Sequence, residues 1–551
     1  MKREGAEAPK AAPSRAGGSM KRVYSVLCSF IVLIWCSSAF LKSSFCGQQY
    51  TRCNLVLRGE INGVFRELGG YERLLSRKTP GTNYVSLSHV SVFILSGIIY
   101  ESELKKIMLQ VIKKHPMLRS YIFEESSDKF YWREINRNLE SIIDSSIEVI
   151  EVSTMSEFTR KWQDLYNLGL NKAQFADDGA QWKLCNIIYN NKNSPMSAIL
   201  FTFNHGLDDQ TSVNIIMKDI LAYYSNPNLV SNRKEFPLSI EEAVGSFKKF
   251  NIKTILWSMY QLCNSLRMPS MVPYRIRKLK TISASEFKDI SNPDNRSTFS
   301  TFFSLSKLQT NETLNFCRQN KITFTNLLCA LILIITSANI QENSSNYDDI
   351  NLRFLLSVGL RQYGDAGGRD FTDETVACAS GAIDYVITVP KMATISGTMK
   401  DDNFSEKSLF LEQVIRLSEA CKAAGNKIIK DWQFVPESVR LFGIGMKAAD
   451  ILRVVELEAK NPKSMGRGYS CGVSSMGVCN MDDGETLKLA PSQGYYATSH
   501  ARNGVLILLS CMTIDGSFCG CMQFTEPLVN KNEAEEINSK IVKYIQKIIE
   551  V

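Results

Sequence analysis

The sequence predicts an α/β protein. Three observations carry that reading. Strand-like apolar runs alternate with amphipathic helical runs in both halves of the chain. Tight-turn dipeptides punctuate a strand-rich C-terminal stretch. Of the 551 residues, 44% are hydrophobic against 22% charged, which supplies a large core and excludes collagen-like or wholly disordered chains. At roughly 150 residues per domain the length allows about two to four domains, or one large two-lobed body.

In chain order, residues 1–22 form a basic, Ala/Gly/Pro/Ser-rich tail, expected to be disordered. Val23 to Leu41 follows without a charge, and as a helix it would be about 28 Å long, enough to cross a bilayer core of about 30 Å. An uncleaved anchor, a signal peptide cleaved near Ser37-Ser38-Ala39, and a buried core helix all remain open for this run. As an anchor, its basic flank keeps the N-terminus cytoplasmic and places the body in the endoplasmic reticulum or secretory pathway; with residues 23–39 cleaved, the body is secreted.

A strand is expected at His89–Ser96 and a helix from about Glu101 to Lys114, stopped because Pro116 disfavours helical geometry just before it. Strands follow at Lys129–Ile135, Trp182–Tyr189 and Ala198–Phe203, then a helix near Thr211–Tyr224. A weaker segment at about 231–280 links the halves, and its Arg275, Arg277, Lys278 and Lys280 read better as a solvated face than as a phosphate contact. The second half offers a helix near Phe324–Ile340, a strand at Leu352–Val358, and helices near Glu406–Lys430 and Ser438–Lys447. Asn503-Gly504 and Asp515-Gly516 separate strand runs at Gly494–Ala501, Val505–Ile514 and Ser517–Phe524, expected as a β-meander before a terminal helix from about Asn532 to Ile549. Leu327–Ile335 is too short for a membrane span and reads as core.

The net charge of +8 resolves into two parts. Residues 1–42 hold seven Lys or Arg against two Glu, so +5 sits there and +3 is left for the rest. No dense basic face with interleaved aromatics remains, and a nucleic-acid partner is not expected. Thirteen of the fifteen Cys follow the apolar run without a C-x-x-C pair, so they read mainly as small buried apolar residues, with no metal site expected. Asn295, Asn311, Asn343 and Asn403 begin glycosylation triplets that matter only if the body is lumenal.

Only four His occur, at 89, 115, 205 and 500. His205 follows an apolar strand in Phe201-Thr-Phe-Asn204-His205-Gly-Leu-Asp208-Asp209-Gln-Thr211-Ser212, just before a helix. A strand-end loop presents an imidazole outward, where it can accept a proton near neutral pH. His115 reads as a helix end, His89 and His500 as packed or surface strand residues, and Asp208 as a solvated neighbour. Asp208-Asp209 as metal ligands would instead suit a lumenal type II glycosyltransferase, a minor alternative.

The His205-x-x-x-Asp209 loop resembles the H-x-x-x-D motif of the condensation-domain, BAHD and alcohol-acetyltransferase superfamily. Other segments fall in that family's order. Val111-Ile-Lys-Lys-His115-Pro-Met-Leu-Arg119 is similar to its rHPxLR helix end, with Ser91–Glu103 before it. Thr323-Phe-Thr-Asn326-Leu-Leu-Cys-Ala330 resembles its T-x-x-x-x-L-x-A helix start. Leu356-Ser-Val358-Gly-Leu-Arg361 resembles its P-V-x-x-R strand, and Gly472-Val-Ser474-Ser475-Met-Gly477 its x-S-N-x-G segment. Departures are Asn204 for a first His, Gln210 for the usual Gly, Ser475 for Asn, and the absence of D-F-G-W-G, which disfavours a plant-type BAHD enzyme.

The resemblance implies two chloramphenicol-acetyltransferase-like lobes, 42–235 and 236–551, around a shared tunnel. It implies an O-acyltransferase in which His205 deprotonates an alcohol or amine acceptor as it attacks an acyl-CoA thioester, without a covalent acyl-enzyme. Acyl-CoA is the co-substrate, no bound cofactor is expected, and a free-standing lobe pair favours CoA over a carrier protein. Asp209 is expected to pair with Arg361 and hold the loop, with Asn204 and Ser474 as possible substrate contacts. A monomer is expected, attached to the membrane through residues 23–41. A non-catalytic binding protein on the same fold is the alternative, motivated by Asn204, Gln210 and Ser475.

Overall fold

The computed structural model describes residues 63–76, 87–126, 129–173, 175–230, 232–244, 284–341, 349–363, 374–390, 404–429, 439, 456–462, 464–482 and 487–550. All belong to one compact unit, Glu60–Phe250 with Ser270–Val551. The tail, the 23–41 run, the basic cluster at 275–280, the Asn343 triplet, Asn403, and all but Val439 of the 438–447 run lie outside the described residues.

The expected α/β class is observed, as helices packed on mixed sheets. One sheet has the order β12-β2-β7-β6-β5, built from β2 (Ser88–Leu95), β5 (Ile147–Val152), β6 (Trp182–Tyr189), β7 (Met196–Asn204) and β12 (Pro491–Thr498). All eight residues of β2 are buried, the mark of a central strand covered on both faces. On one side lies α1 (Glu101–Lys114), which buries Leu104, Ile107, Met108, Val111 and Ile112 at helical spacing. It stops at His115, whose backbone is extended ahead of Pro116. His115 Nε2 and Lys114 Nζ both meet the Asp219 carboxylate at 2.6 Å, tying this helix end to α3 (Gln210–Ser225). The other side is covered by α2 (Met155–Lys172), N-capped by Thr154, with Phe158, Trp162, Tyr166 and Leu170 buried.

A second sheet runs β10-β9-β11-β13-β14-β8, from β8 (Ser297–Ser304), β9 (Ile350–Gly359), β10 (Ser380–Val389), β11 (Arg467–Val478), β13 (Gly504–Ile514) and β14 (Ser517–Glu526). Its core also takes in α4 (Lys307–Gln319), α5 (Phe324–Gln341), α6 (Phe404–Ile429) and α7 (Lys531–Ile549). Leu327–Ile335 is wholly buried in α5, as its length requires. Among the described residues no single helix is long and apolar enough to cross a membrane. A small sheet, β1 (Val64–Glu67), β4 (Lys129–Glu134) and β3 (Ser120–Ser126), completes the described strands.

The C-terminal meander needs correction. Asp515 and Gly516 both have positive φ, 47° and 74°, and join β13 to β14 in a hairpin. Asn503-Gly504 makes no such hairpin. β12 pairs antiparallel with β2 of the other sheet, from Thr498↔His89 to Pro491↔Leu95. A turn dipeptide marks where the chain reverses but carries no information about which strand receives it.

Candidate active site

The site is built where β7 ends. Its register with β2 places Ser88 opposite Asn204 and His89 opposite Phe203, and the His205 amide donates to the Leu87 carbonyl at 2.9 Å. The ladder therefore carries the chain up to His205 and then releases it into a turn, with Leu207 N donating to the Asn204 carbonyl at 2.9 Å. Asn204, 3% exposed, supports this turn. Its Nδ2 donates to Gln181 Oε1 at 3.0 Å and its Oδ1 accepts from Gly206 N at 3.2 Å. Gly206 passes so close to the helix Gly70–Leu75 and its cap that a Cβ would meet the Glu72 carbonyl at 2.7 Å and collide with the Ser76 side chain.

His205 keeps 12% of its side chain exposed. Its Nδ1 lies 3.1 Å from the Asp208 carbonyl oxygen, which can only accept, so in the neutral imidazole Nδ1 carries the proton and Nε2 the lone pair.

Asp209 turns the other way and N-caps α3. Oδ1 accepts from Ser212 N and from Arg361 Nη2 at 2.8 and 2.7 Å, and Oδ2 from Ala379 N at 3.1 Å. Arg361 also donates to the carbonyls of Thr375 and Ala377. Both side chains are 7% exposed. Burial pushes the Asp209 carboxyl up, but the Arg361 guanidinium and the Ser212 hydrogen bonds outweigh it and hold it below the usual range. The structure thus joins Asp209 to Arg361, 152 residues apart, beneath the His205 loop.

At the level of sequence no protein-family model and no curated protein matches this chain. Solved structures do. A trichothecene 15-O-acetyltransferase from Fusarium sporotrichioides is similar with a TM-score of 0.61 and 12% identity, over 88% of this chain and 95% of that one. The cyclization-docking bidomain of a nonribosomal peptide synthetase from Sorangium cellulosum gives 0.55 and 13%, over 98% and 94%. The condensation domain of the monacolin K polyketide synthase gives 0.53 and 9%, over 88% and 96%. The chain has the chloramphenicol-acetyltransferase-like fold. The condensation-domain and acetyltransferase resemblance of the sequence is therefore matched in three dimensions.

On this chloramphenicol-acetyltransferase-like scaffold, Ser474 sits on β11, where Tyr496 Oη donates to its carbonyl at 2.7 Å and lies 3.0 Å from its Oγ. The Tyr496 ring in turn meets the His89 ring edge-on at 6.2 Å. Asp208 is not a solvated neighbour, because it is 0% exposed. The turn at Asn204–Leu207 and the cap at Asp209 fold its side chain under the loop, where Oδ2 lies 2.7 Å from His89 Nδ1.

Three residues of this layer were not placed at the site by the sequence: His89, read only as a packed or surface strand residue, Gln210 as a side-chain partner, and Tyr496. His89 is 1% exposed, its ring centroid is 5.3 Å from that of His205, and its Nε2 faces Gln210 Oε1 at 3.1 Å. Burial pushes His89 down to about 4 and Asp208 up to about 7. The signal for His89 was a His in a wholly buried strand, legible only once the β2–β7 register is known.

Among the described residues, His89, His205 and Asp208 form the one group whose possible ligand atoms lie within 4.8 Å of one another. Hydrogen bonds engage both His89 nitrogens, and they account for the cluster without assigning an ion there. Asp209 is likewise committed to Arg361, so the adjacent aspartates face different partners instead of converging as a metal pair. The described cysteines are all buried free thiols, raised by burial and unsuited to act as nucleophiles.

Proposed function

We propose that this protein is an acyltransferase that moves an acyl group from a CoA thioester to an alcohol or amine, with His205 as general base. The observation that carries the reading is the 3.1 Å contact of His205 Nδ1 with the Asp208 carbonyl oxygen. With Nδ1–H held by the Asp208 carbonyl, the Nε2 lone pair is the available base. Nε2 takes the acceptor proton as the acceptor oxygen or nitrogen attacks the thioester carbonyl. The tetrahedral intermediate collapses with loss of the thiolate, which recovers the proton from Nε2. No covalent bond to the protein is needed. In this reading the donor and acceptor enter from opposite ends of a tunnel between two lobes, Asp209 and Arg361 hold the loop, and Ser474 lies along the tunnel. The fold similarity to an O-acetyltransferase and to condensation domains supports acyl transfer as the reaction class. Residues 23–41 would attach the protein to a membrane.

The test is thiol release from acetyl-CoA supplied with a panel of alcohols and amines. His205→Ala should lower the rate by about 10²–10⁴-fold. Its side chain makes one backbone hydrogen bond, so the urea midpoint should change little. Equal background release by the wild type and His205→Ala would refute the reading.

A further inference from the structure

Behind His205 lies a chain of hydrogen bonds whose directions are fixed by their far ends. Ser91 Oγ is 3.3 Å from the Tyr495 carbonyl and must donate to it, so its lone pairs receive Gln210 Nε2 at 3.2 Å. The same Nε2 donates to Asn214 Oδ1 at 2.9 Å. Gln210 Oε1 therefore faces His89, and because an amide oxygen only accepts, His89 Nε2 must carry a proton. His89 Nδ1, 2.7 Å from Asp208 Oδ2, can then share one proton with that carboxyl in either of two ways. Either Asp208 Oδ2–H donates to a bare Nδ1, or a protonated Nδ1 donates to the carboxylate. The pair is neutral overall in both forms, as suits two side chains 1% and 0% exposed.

The second oxygen of Asp208 is directed at the proposed base. Oδ1 lies 3.9 Å from His205 Nδ1, is buried, and has no hydrogen-bond partner. The other groups facing the pair are Asp209 and Arg361, already bound to each other, the buried Cys378 thiol, which burial keeps protonated, and the edge-on ring of Tyr496.

Resting on the acyl-transfer reading above, we propose that Asp208 and His89 form a proton-sharing pair that stabilises the His205 imidazolium. Asp208 is a positioning residue, and Gln210 is the element that sets the His89 tautomer. As His205 Nε2 takes the acceptor proton, the proton between Asp208 Oδ2 and His89 Nδ1 moves to Nδ1. Carboxylate charge appears on Asp208, beside the imidazolium that needs it. When Nε2 gives its proton to the departing thiolate, the shared proton returns to Oδ2. No proton or electron leaves the buried pair during the cycle. Gln210, which stands where the resembling family usually has Gly, thereby has a physical use. With a glycine there, nothing from α3 would fix the His89 Nε2–H.

The pair is tested first without turnover. The chain has four histidines, so a spectrum of protein labelled with ¹⁵N-histidine resolves few rings. At neutral pH His89 should show a proton on Nε2, and Gln210→Ala should release that constraint. A His89 ring protonated only on Nδ1 would overturn the proposal. Turnover is then followed with acetyl-CoA and the alcohol and amine panel. Asp208→Asn can still donate to His89 Nδ1 but cannot develop charge, so kcat should fall about 10- to 100-fold with KM unchanged, and the acid limb of the rate profile should move down by about one pH unit. Gln210→Ala should lower kcat about tenfold in the same way, and it supplies the kinetic test should Asp208→Asn not fold. If both variants keep wild-type kcat and acid limb while His205→Ala is inactive, the pair plays no part in catalysis. If His205→Ala keeps its activity, the acyl-transfer reading fails, and the claim that the pair assists it falls with that reading.

Discussion

Arg361→Ala is the sharpest test of how the loop is held. The guanidinium and the Asp209 carboxylate are 2.7 Å apart, and both side chains are 7% exposed. At an effective dielectric constant of about 20, unit charges that close attract by roughly 6 kcal/mol before the cost of desolvation. Deleting Arg361 leaves Asp209 buried with hydrogen bonds from Ser212 and Ala379 but no countercharge, at a cost of about 3–5 kcal/mol. The pH dependence gives the sign. In the wild type the folded Asp209 carboxyl lies below its ordinary range, so the stabilisation is present above about pH 4 and is lost as pH falls through the folded value. Without Arg361, burial dominates and the folded carboxyl lies above the ordinary range, so the variant gains relative to the wild type as acidification neutralises Asp209. Urea unfolding at about pH 7.5 and about pH 5 should show the larger penalty at the higher pH. Asp209→Ala/Arg361→Ala should cost less than the sum of its singles. A penalty equal at both pH values, together with additive singles, would refute the buried-pair account.

Gly206→Ala should cost about 1–3 kcal/mol and displace His205, because the added methyl meets the Glu72 carbonyl and Ser76; thermal unfolding and thiol release measure the two effects. His500 is buried, and burial together with the neighbouring Arg467 pushes it down to about 3. The unfolded chain binds its proton below about pH 6.5 and the folded one does not, so stability should fall by about 2–3 kcal/mol between pH 6.5 and 4.5 from this group alone. His500→Gln should make the slope of unfolding free energy against pH shallower by nearly one proton in that window, and an unchanged slope would sink the assignment.

Much of the scaffold was legible in the sequence because its signals are local. The bounds of α1 follow from five buried positions at helical spacing and from Pro116, and β6 from its apolar run. The sequence reading lacks α2, although Phe158, Trp162, Tyr166 and Leu170 recur every four residues behind the Thr154 cap, a helical pattern as clear as that of α1. His205 stood out because it punctuates a strand-to-helix junction. Asp208 was misread because adjacent acidic residues in a loop ordinarily face water, and only the cap at Asp209 and the turn at Asn204–Leu207 show that this one points inward. His89 depends on strand pairing, which periodicity does not contain.

The crossing of β12 has a consequence for biosynthesis. β2 lies between β7 and a strand that begins at Pro491, so the N-terminal half leaves the ribosome with one flank of β2 unpaired. Until that late segment arrives, eight residues destined for burial line an open strand edge, the kind of surface that recruits foreign strands. Emergence of β12 therefore both completes the His89 neighbourhood and closes this edge of the nascent chain. A chain cut short before residue 491 should accumulate in aggregates.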